Sequence, residues 1–575
     1  MSDNNDFRRR TLVKGIAAAS LLPLLGSNLI ACSDSRDLVP EPAGVAAQFN
    51  HGVASGDPLA DRVILWTRVT PDEEGFVDVE WEVASDEDFT DIVRSGAGVT
   101  DAAVDFTVKV DVDGLAPGTS YFYRFRVIDR VSPVALTRTA PAGAAASAVF
   151  AVVSCSNYPT GFFNVYREVA LQEVDAVLHL GDYIYEYAPD GYASSNAEAL
   201  DRVVTPATEI VTLSDYRARY AQYRTDPDLQ AAHAAHPFIV VWDDHEIAND
   251  TWREGAENHD PDSEGEFSER LASAIQAWYE WLPVRPPANE QEIIYRLLPY
   301  GDLLDLVMLD TRVIGRDQQF VYPDFVTGGV IDVAATRAAV SDSRRTLLGE
   351  TQLTWLKDKL TSSNARWQVL GQQVLMGRYD LPSPVLQALE PSIAGDDPLA
   401  EGVAAVLAAV AAKNKPPAER TPEEQALLDS AIPYNLDAWD GYGFERDEVL
   451  EFVAQLDKRM IVLAGDTHNS WASQLRTTSG QVAGVEFATS SVTSPGLELV
   501  LGADAAAFFA PLMTTLVDDL VYADFNNRGY LTVRFEPETV TAEWRYVSAI
   551  DSRDYVLNEE AFHQRIVNHS DLVLS

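Results

Sequence analysis

Four short segments of the chain each place residue types that bind metal ions directly after an apolar, strand-like run. One such segment would be weak evidence, because an aspartate after a strand is usually a turn residue and a histidine there is usually only hydrogen-bonded. Four of them together predict a metal site. The residues concerned are Cys155, Asp182 with Tyr185, Asp243 to Glu246, and Asp466 with His468.

The apolar runs before these residues predict strands of a largely parallel sheet. The run 176–180 is the clearest, because it is continuously apolar, as in a strand covered on both faces. Ligands bind at the carboxyl edge of open α/β sheets, so residues that follow the strands should meet there. Strand and helix patterns alternate over 148–575, which predicts a layered α/β domain. The predicted strands are 149–154, 176–180, 238–242, 304–309, 367–370, 461–464 and 485–488.

Two regions differ from this α/β pattern. Residues 45–142 alternate with period two and predict a small all-β sandwich, in which the approach to Tyr121 resembles the tyrosine corner of fibronectin type III domains. This sandwich gathers no catalytic residue types, so we expect it to serve as a spacer or a wall of the site. The region 382–433 is rich in Ala, Leu and Pro and predicts a helical insertion of unassigned purpose. The strands predicted in the sandwich are 62–69, 77–83 and 121–127.

The charge of the chain argues against one class of partner. Its 575 residues include 43 basic and 88 acidic side chains, a formal net charge of −45. Duplex binding depends on cationic side chains that release counterions from the phosphate backbone, so we expect no nucleic-acid binding. A single nucleotide stays open as a small substrate.

The first 32 residues predict an export signal rather than part of the fold. A pattern that resembles the twin-arginine signal begins at Arg9-Arg10, and the apolar run 15–31 that follows is short for a spanning helix. The segment 29–32 resembles a lipobox, which would make Cys32 a lipidated N-terminus; the alternative is plain cleavage and an unanchored product. We therefore expect an exported protein of the periplasm or cell envelope, whose membrane contact is confined to such an anchor.

The chemistry-bearing segments belong to longer motifs, namely Gly181-Asp182-x-x-Tyr185, Asp243-Asp244-His245-Glu246, Gly465-Asp466-Thr467-His468, Asp310-Thr311-Arg312, and the runs 52–58, 437–442 and 493–496. Together they resemble the metallophosphatases of the alkaline phosphatase D family, over nearly the whole exported chain. The resemblance implies a calcineurin-like layered α/β domain and an alkaline phosphatase activity. The Gly-Asp-x-x-Tyr pattern is also similar to that of purple acid phosphatases, whose tyrosine binds ferric iron.

Carried over residue by residue, the resemblance implies an Fe³⁺ site. Its ligands would be Cys155, Asp182, Tyr185 and His468. Thiolate, phenolate and imidazole suit a transition metal rather than calcium.

The resemblance also implies Ca²⁺ beside the iron. This second site would share Asp182 as a bridge and draw on Asp244 and Asp466. The wider metallophosphatase pattern has asparagine and histidine at the last two positions, and carboxylates in their place favour a hard cation such as calcium. The number of calcium ions and their remaining ligands stay open.

Three further residues are candidates for the catalytic machinery of a phosphatase that uses metal-bound hydroxide to attack the ester. His245 would donate a proton to the leaving group; the alternative is that it orients the ligand Asp244 without binding the metal itself. Asn249 would hold a phosphoryl oxygen or a metal ion. Arg312 would clamp the phosphate or form a structural salt bridge.

The sequence leaves the substrate open within one chemical class. We expect a monomeric enzyme that hydrolyses small-molecule or lipid phosphate monoesters and also diesters. The alternative is a phosphodiesterase of phospholipase D type that is restricted to diesters. A non-catalytic surface protein that binds a partner through the sandwich is disfavoured, because such a protein has no reason to retain Cys155, Tyr185 and His468 together.

Overall fold

The computed structural model describes residues 44–287, 293–389 and 398–575. The predicted signal 1–32, with its lipobox cysteine Cys32, lies outside the described residues and stays a prediction. Within the described ranges, no helix combines the length and the apolar character needed to cross a bilayer.

A nine-stranded mixed sheet carries the first half of the site. Its centre is three parallel strands, Ala148–Val153, Ala176–His179 and Pro237–Val240, whose residues are all buried. Their continuous apolar character follows from this cover on both faces. From edge to edge the strands are His563–Asn568, Thr539–Val547, Arg528–Phe535, Ala148–Val153, Ala176–His179, Pro237–Val240, Val53–Gly56, Arg62–Arg68 and Thr107–Asp113.

A seven-stranded sheet carries the second half. Its strand Met460–Ala464 pairs in parallel with Trp367–Gly371 on one side and with Val482–Ala488 on the other. The seven predicted strands of the α/β domain are all present, with ends that differ by at most three residues, and the α/β fold class is confirmed. In spatial order the strands are Arg296–Tyr300, Leu304–Met308, Trp367–Gly371, Met460–Ala464, Val482–Ala488, Ser470–Arg476 and Leu520–Asp524.

The main core lies between these two sheets. Phe150 and Leu178 of the first sheet and Ile461 and Phe487 of the second belong to one buried apolar cluster. Val462, the next residue after Ile461, lies on the opposite face of its strand, as the period of two requires. It belongs to a second buried apolar cluster, which includes Leu356 and Val449 of two helices. Each such side chain contributes about 1.5–3 kcal/mol by its burial. The helices are Asn164–Ala170, Leu213–Tyr223, Pro227–Ala235, Pro261–Glu264, Phe267–Trp281, Val333–Val340, Gly349–Ser362, Ser383–Leu389, Pro398–Lys413, Pro422–Asp429, Gly443–Gln455, Glu498–Leu501 and Ala503–Leu516.

The region 382–433 begins and ends at two short strands that pair with each other in a separate two-stranded sheet. Asp380–Pro382 and Ala431–Pro433 are antiparallel partners, and the helices Ser383–Leu389, Pro398–Lys413 and Pro422–Asp429 lie between them in the chain. Thr421 caps the last helix in a capping box with Glu424. The paired base fixes where the helical region begins and ends.

The N-terminal region forms a two-layer β structure with a separate apolar core. One layer consists of Ala135–Arg138, Ser120–Val127, Val77–Ala84 and Ile92–Thr100, with Arg130–Val131 also paired to Ser120–Val127. The backbone amide of Ala116 donates to the Tyr121 hydroxyl at 2.9 Å, as a tyrosine corner requires. The other layer continues the nine-stranded sheet, because Val53–Gly56 pairs in parallel with Pro237–Val240. The sequence did not predict this strand, and its pairing makes the region part of the sheet that carries the first half of the site.

Candidate functional site

The candidate ligands stand on loops at the carboxyl edges of both sheets. Cys155, Asp182, Asp466 and His468 all have left-handed backbone conformations, with φ of 61°, 56°, 63° and 61°. This conformation costs a residue with a Cβ about 1–2 kcal/mol. Such strain persists only where the surrounding structure fixes the backbone, and it is common at functional sites.

Four side chains from the two sheets converge on one point. One ligand atom each of Cys155, Asp182 and His468 lies within 4.8 Å of the other two. The Tyr185 hydroxyl lies 2.9 Å from Asp182 Oδ2 and 3.3 Å from His468 Nε2. His468 Nδ1 donates to the Pro495 carbonyl at 2.7 Å, which leaves Nε2 for a metal ion. The structure thus brings together the four residues predicted to hold iron.

A second group of carboxylates adjoins the first. Asp243, Asp244 and Asp466 each place an oxygen within 4.8 Å of the others, and Asp182 and Asp244 form a similar group with His245. Asp182 belongs both to the group with Cys155 and His468 and to the group with Asp244 and His245, so it stands where a bridging ligand would be. Asp243 belongs to the motif Asp243-Asp244-His245-Glu246, but neither of the two ligand sets implied by the resemblance included it.

The carboxylates are short of partners for groups so deeply buried. Among the described residues, Asp182 Oδ1 and Asp243 Oδ2 are buried and have no hydrogen-bond partner. Burial, reinforced by the neighbouring Asp244, raises the pKa of Asp182 well above its ordinary value, and burial raises that of Asp243 to about 6. Because hard cations both neutralise and coordinate such oxygens, this donor set fits metal ions.

The pKa values of the Cys155 thiol and the Tyr185 phenol are shifted in the same direction as those of the carboxylates. Burial, followed by the charge of Asp182, raises the pKa of Cys155 and that of Tyr185 well above their ordinary values. Burial lowers the pKa of His468 to about 3, so its imidazole is neutral and able to coordinate. A bound cation reverses the first two shifts, since a coordinated thiol is deprotonated.

Arg312 is fully buried and lies under the carboxylate cluster. Its Nε bonds Asp243, its Nη1 lies 2.9 Å from Asp437, and its Nη2 lies 3.1 Å from Asp466 and 3.6 Å from Asp244. Every guanidinium nitrogen therefore faces a carboxylate. Of the two roles predicted for Arg312, these contacts fit a structural salt bridge, because no nitrogen of the side chain is left free to hold a phosphate.

His245 is held beside the metal ligands. Its Nδ1 lies 2.7 Å from Glu186 Oε2, and its ring packs on the Tyr185 ring with centroids 4.1 Å apart. Burial alone would lower the pKa of His245, but the carboxylates of Glu186 and Asp244 raise it well above the ordinary value. A histidine next to these ligands is suited to donate a proton to a leaving group.

Asn249 does not join the cluster through its side chain. Its Nδ2 donates to Glu257 at 3.2 Å on the exposed side, and its backbone amide donates to Glu186 at 2.8 Å. The structure therefore gives no contact between this amide and the other candidate ligands. Its backbone, rather than its side chain, belongs to the site.

Sequence reasoning missed three acidic residues that support the ligands. Glu246 accepts from the backbone amides of Asp182 and Asp243, at 2.9 and 2.7 Å, and so ties together two ligand loops. Glu186 accepts from His245, and Asp437 accepts from Arg312. Each lies within or beside a motif, but nothing in the sequence indicates which partner it meets.

Known proteins share both the sequence and the fold of this chain. The profile of the family described as PhoD-like phosphatase matches residues 150–544, and that of its N-terminal domain matches residues 34–141. Alkaline phosphatase D of Bacillus subtilis (strain 168) is 34% identical over 563 residues, which cover 94% of this chain and 85% of that protein. A solved structure described as "Structure of PhoD" is 32% identical, with a TM-score of 0.74 and 93% of both chains covered. The chain belongs to the PhoD-like phosphatase family and is a phosphatase.

Proposed function

We propose that the protein is an exported phosphatase that requires Fe³⁺ and Ca²⁺ and hydrolyses phosphate monoesters and diesters. One observation carries the metal assignment: Cys155, Asp182 and His468 converge on one point, with Tyr185 in contact. A thiol, a phenol and an imidazole favour iron. The adjoining oxygens of Asp244 and Asp466 favour calcium.

The residues of the chain have separate tasks in this proposal. Bound cations would neutralise the phosphoryl oxygens and activate water at neutral pH. Asp182 would be a ligand shared by the two metal sites. Arg312 would offset the negative charge of the surrounding carboxylates. His245 would give its proton to the leaving oxygen as the phosphorus–oxygen bond breaks, yielding the free alcohol and a neutral imidazole.

The decisive experiment compares a nitrophenyl phosphate with the corresponding bis-nitrophenyl diester. The purified protein should hydrolyse both, lose both activities on chelation and regain them with iron and calcium together. Asp466→Asn should abolish both activities, whereas Asp504→Asn, at an exposed helix position, should change neither. Hydrolysis of the diester alone would replace this proposal with the diester-restricted alternative. No hydrolysis of either substrate by metal-loaded protein would overturn it.

We also propose that the chain is exported in its folded state and acts as a monomer on phosphate esters of small molecules or lipids. The support is the pattern at Arg9-Arg10 and the lipobox-like segment that ends at Cys32. Lysine at both arginine positions should keep the active enzyme out of the cell envelope. Cys32→Ala should release active enzyme from the membrane fraction. Envelope activity at the parent level in the double-lysine variant would contradict the export route.

A further inference from the structure

Glu186 is a buried glutamate whose part in the reaction the proposed function leaves unassigned. It is 0% exposed, and its carboxylate is fully occupied by three donors. Oε2 accepts from His245 Nδ1 at 2.7 Å, and Oε1 accepts from the Asn249 amide and from Asn258 Nδ2, each at 2.8 Å. A carboxylate held at this many points is a fixed acceptor.

The backbone around Glu186 is fixed as well. Arg219, itself buried, donates to the carbonyls of Tyr185 and Tyr187, the residues on either side of Glu186. The amide of Ile210 donates to the carbonyl of Glu186 at 3.0 Å. The position of the carboxylate is therefore set by contacts that are independent of His245.

The His245 ring is confined on its other sides by aromatic residues. Its centroid lies 4.1 Å from that of Tyr185 and 5.4 Å from that of Tyr187. Because the Glu186 carboxylate only accepts hydrogen bonds, Nδ1 must carry a proton, and Nε2 is the nitrogen left to make another contact. This arrangement selects one orientation of the ring.

We propose that Glu186 is a positioning residue that holds His245 with Nε2 directed at the leaving oxygen of the ester. The inference rests on the proposed function and deepens it. Glu186 does not touch the substrate and keeps its charge throughout, while the proton moves from His245 Nε2 to the departing oxygen. Glu186 should then matter only for substrates whose leaving group needs that proton.

The test compares Glu186→Gln, His245→Gln and the double variant on an alkyl phosphate and on nitrophenyl phosphate. Nitrophenolate leaves without protonation, so each single variant should slow the alkyl ester at least about 10-fold more than the nitrophenyl ester. The full contribution of general acid catalysis is about 10²–10⁴-fold. The double variant should be no slower than His245→Gln alone, because both changes remove the same function. Iron content should match that of the parent. Glu257→Gln is the control, because it removes the charge of an exposed glutamate whose carboxylate bonds the outward-facing side chain of Asn249.

Two outcomes would overturn the inference. One is an equal loss on both esters in Glu186→Gln, and the other is losses that multiply in the double variant. If Glu186→Gln does not fold, Glu186→Asp replaces it, because aspartate keeps the carboxylate on a side chain that is one methylene shorter. A larger loss of rate on the alkyl ester than on the nitrophenyl ester in this variant would support the inference, and equal losses would overturn it. If the parent hydrolyses neither ester, the proposed function fails instead, and the two failures are thereby distinguished.

Discussion

The Arg312 guanidinium lies 3.1 Å from the Asp466 carboxylate, so a cation of the chain already occupies one side of a candidate calcium ligand. Because Arg312 is fully buried and also faces Asp243 and Asp437, its removal leaves several buried carboxylates without a counter-charge. Arg312→Met should lower the free energy of unfolding of the metal-free protein by about 3–5 kcal/mol. Denaturant unfolding measures the change.

Arg344→Met is the matched control for that variant. Arg344 also pairs with an aspartate, Asp342, but its side chain is 87% exposed, so its loss should leave the free energy of unfolding close to that of the parent. A parent-like stability of Arg312→Met, together with a raised KM for substrate, would instead support the phosphate-clamp alternative.

Iron binding should depend on Cys155 and Tyr185. Cys155→Ala should deplete iron and abolish turnover, whereas loss of a merely packed thiol would cost about 1–2 kcal/mol of stability and little activity. Tyr185→Phe should remove the visible absorption expected of a phenolate on ferric iron. Elemental analysis and an absorption spectrum check both results.

Tyr183→Phe is the control for the tyrosine variant. Tyr183 is equally buried two residues away, but its hydroxyl bonds His233 at 2.9 Å, outside the cluster. Its replacement should leave the colour unchanged. A colourless, iron-free parent with full activity would refute the iron assignment.

The charge of Asp243 should make the metal-free protein less stable as the pH rises. Burial raises its pKa to about 6 in the fold, against about 3.9 in the unfolded chain, so between these values the folded state binds the extra proton. Stability from this residue is therefore present at low pH and is lost as the pH rises through about 6. Asp243→Asn does not titrate and should gain about 2 kcal/mol relative to the parent between pH 4 and pH 7.5. Unfolding of chelated protein across this range measures the difference, and a constant difference would contradict the prediction.

Glu246 should control metal affinity without being a ligand. Its two carboxylate oxygens accept from the backbone amides of Asp182, Tyr183 and Asp243. Glutamine has one acceptor oxygen, so Glu246→Gln turns amide protons toward at least one of these donors. Metal affinity should fall about 10–100-fold, as is typical when a supporting group is lost. Calcium titration measures it, with Glu254→Gln on the exposed loop as the control. Equal affinities in the two variants would mean that the loops need no such link.

The sequence predicted the strands and the edge at which the ligands meet because both depend on local patterns. The run before Gly465 is apolar throughout, and Asp466 and His468 could be placed at its end from the rule for parallel sheets alone. The pairing of Val53–Gly56 could not be found, since its Gly and Ser are poor strand formers and its partner lies far away in the chain.

The roles of the charged residues could not be predicted from the sequence, because each role depends on contacts between distant parts of the chain. Arg312 was left between a clamp and a salt bridge, because the answer depends on which carboxylates the fold brings to it. Glu186 follows Tyr185 directly, yet its contact with His245 spans two loops. A sequence records such residues but not the distances between them.

The course of the central sheet limits the order in which the chain can fold. Val53–Gly56 finds its partner Pro237–Val240 only after about 180 further residues have been made. Ala148–Val153 pairs with Arg528–Phe535, close to the C-terminus. The edge that carries Cys155 therefore cannot be completed on the ribosome until almost the whole chain has emerged, and such distant pairings make folding slow. A truncated product would expose unpaired strand edges, which are prone to aggregation.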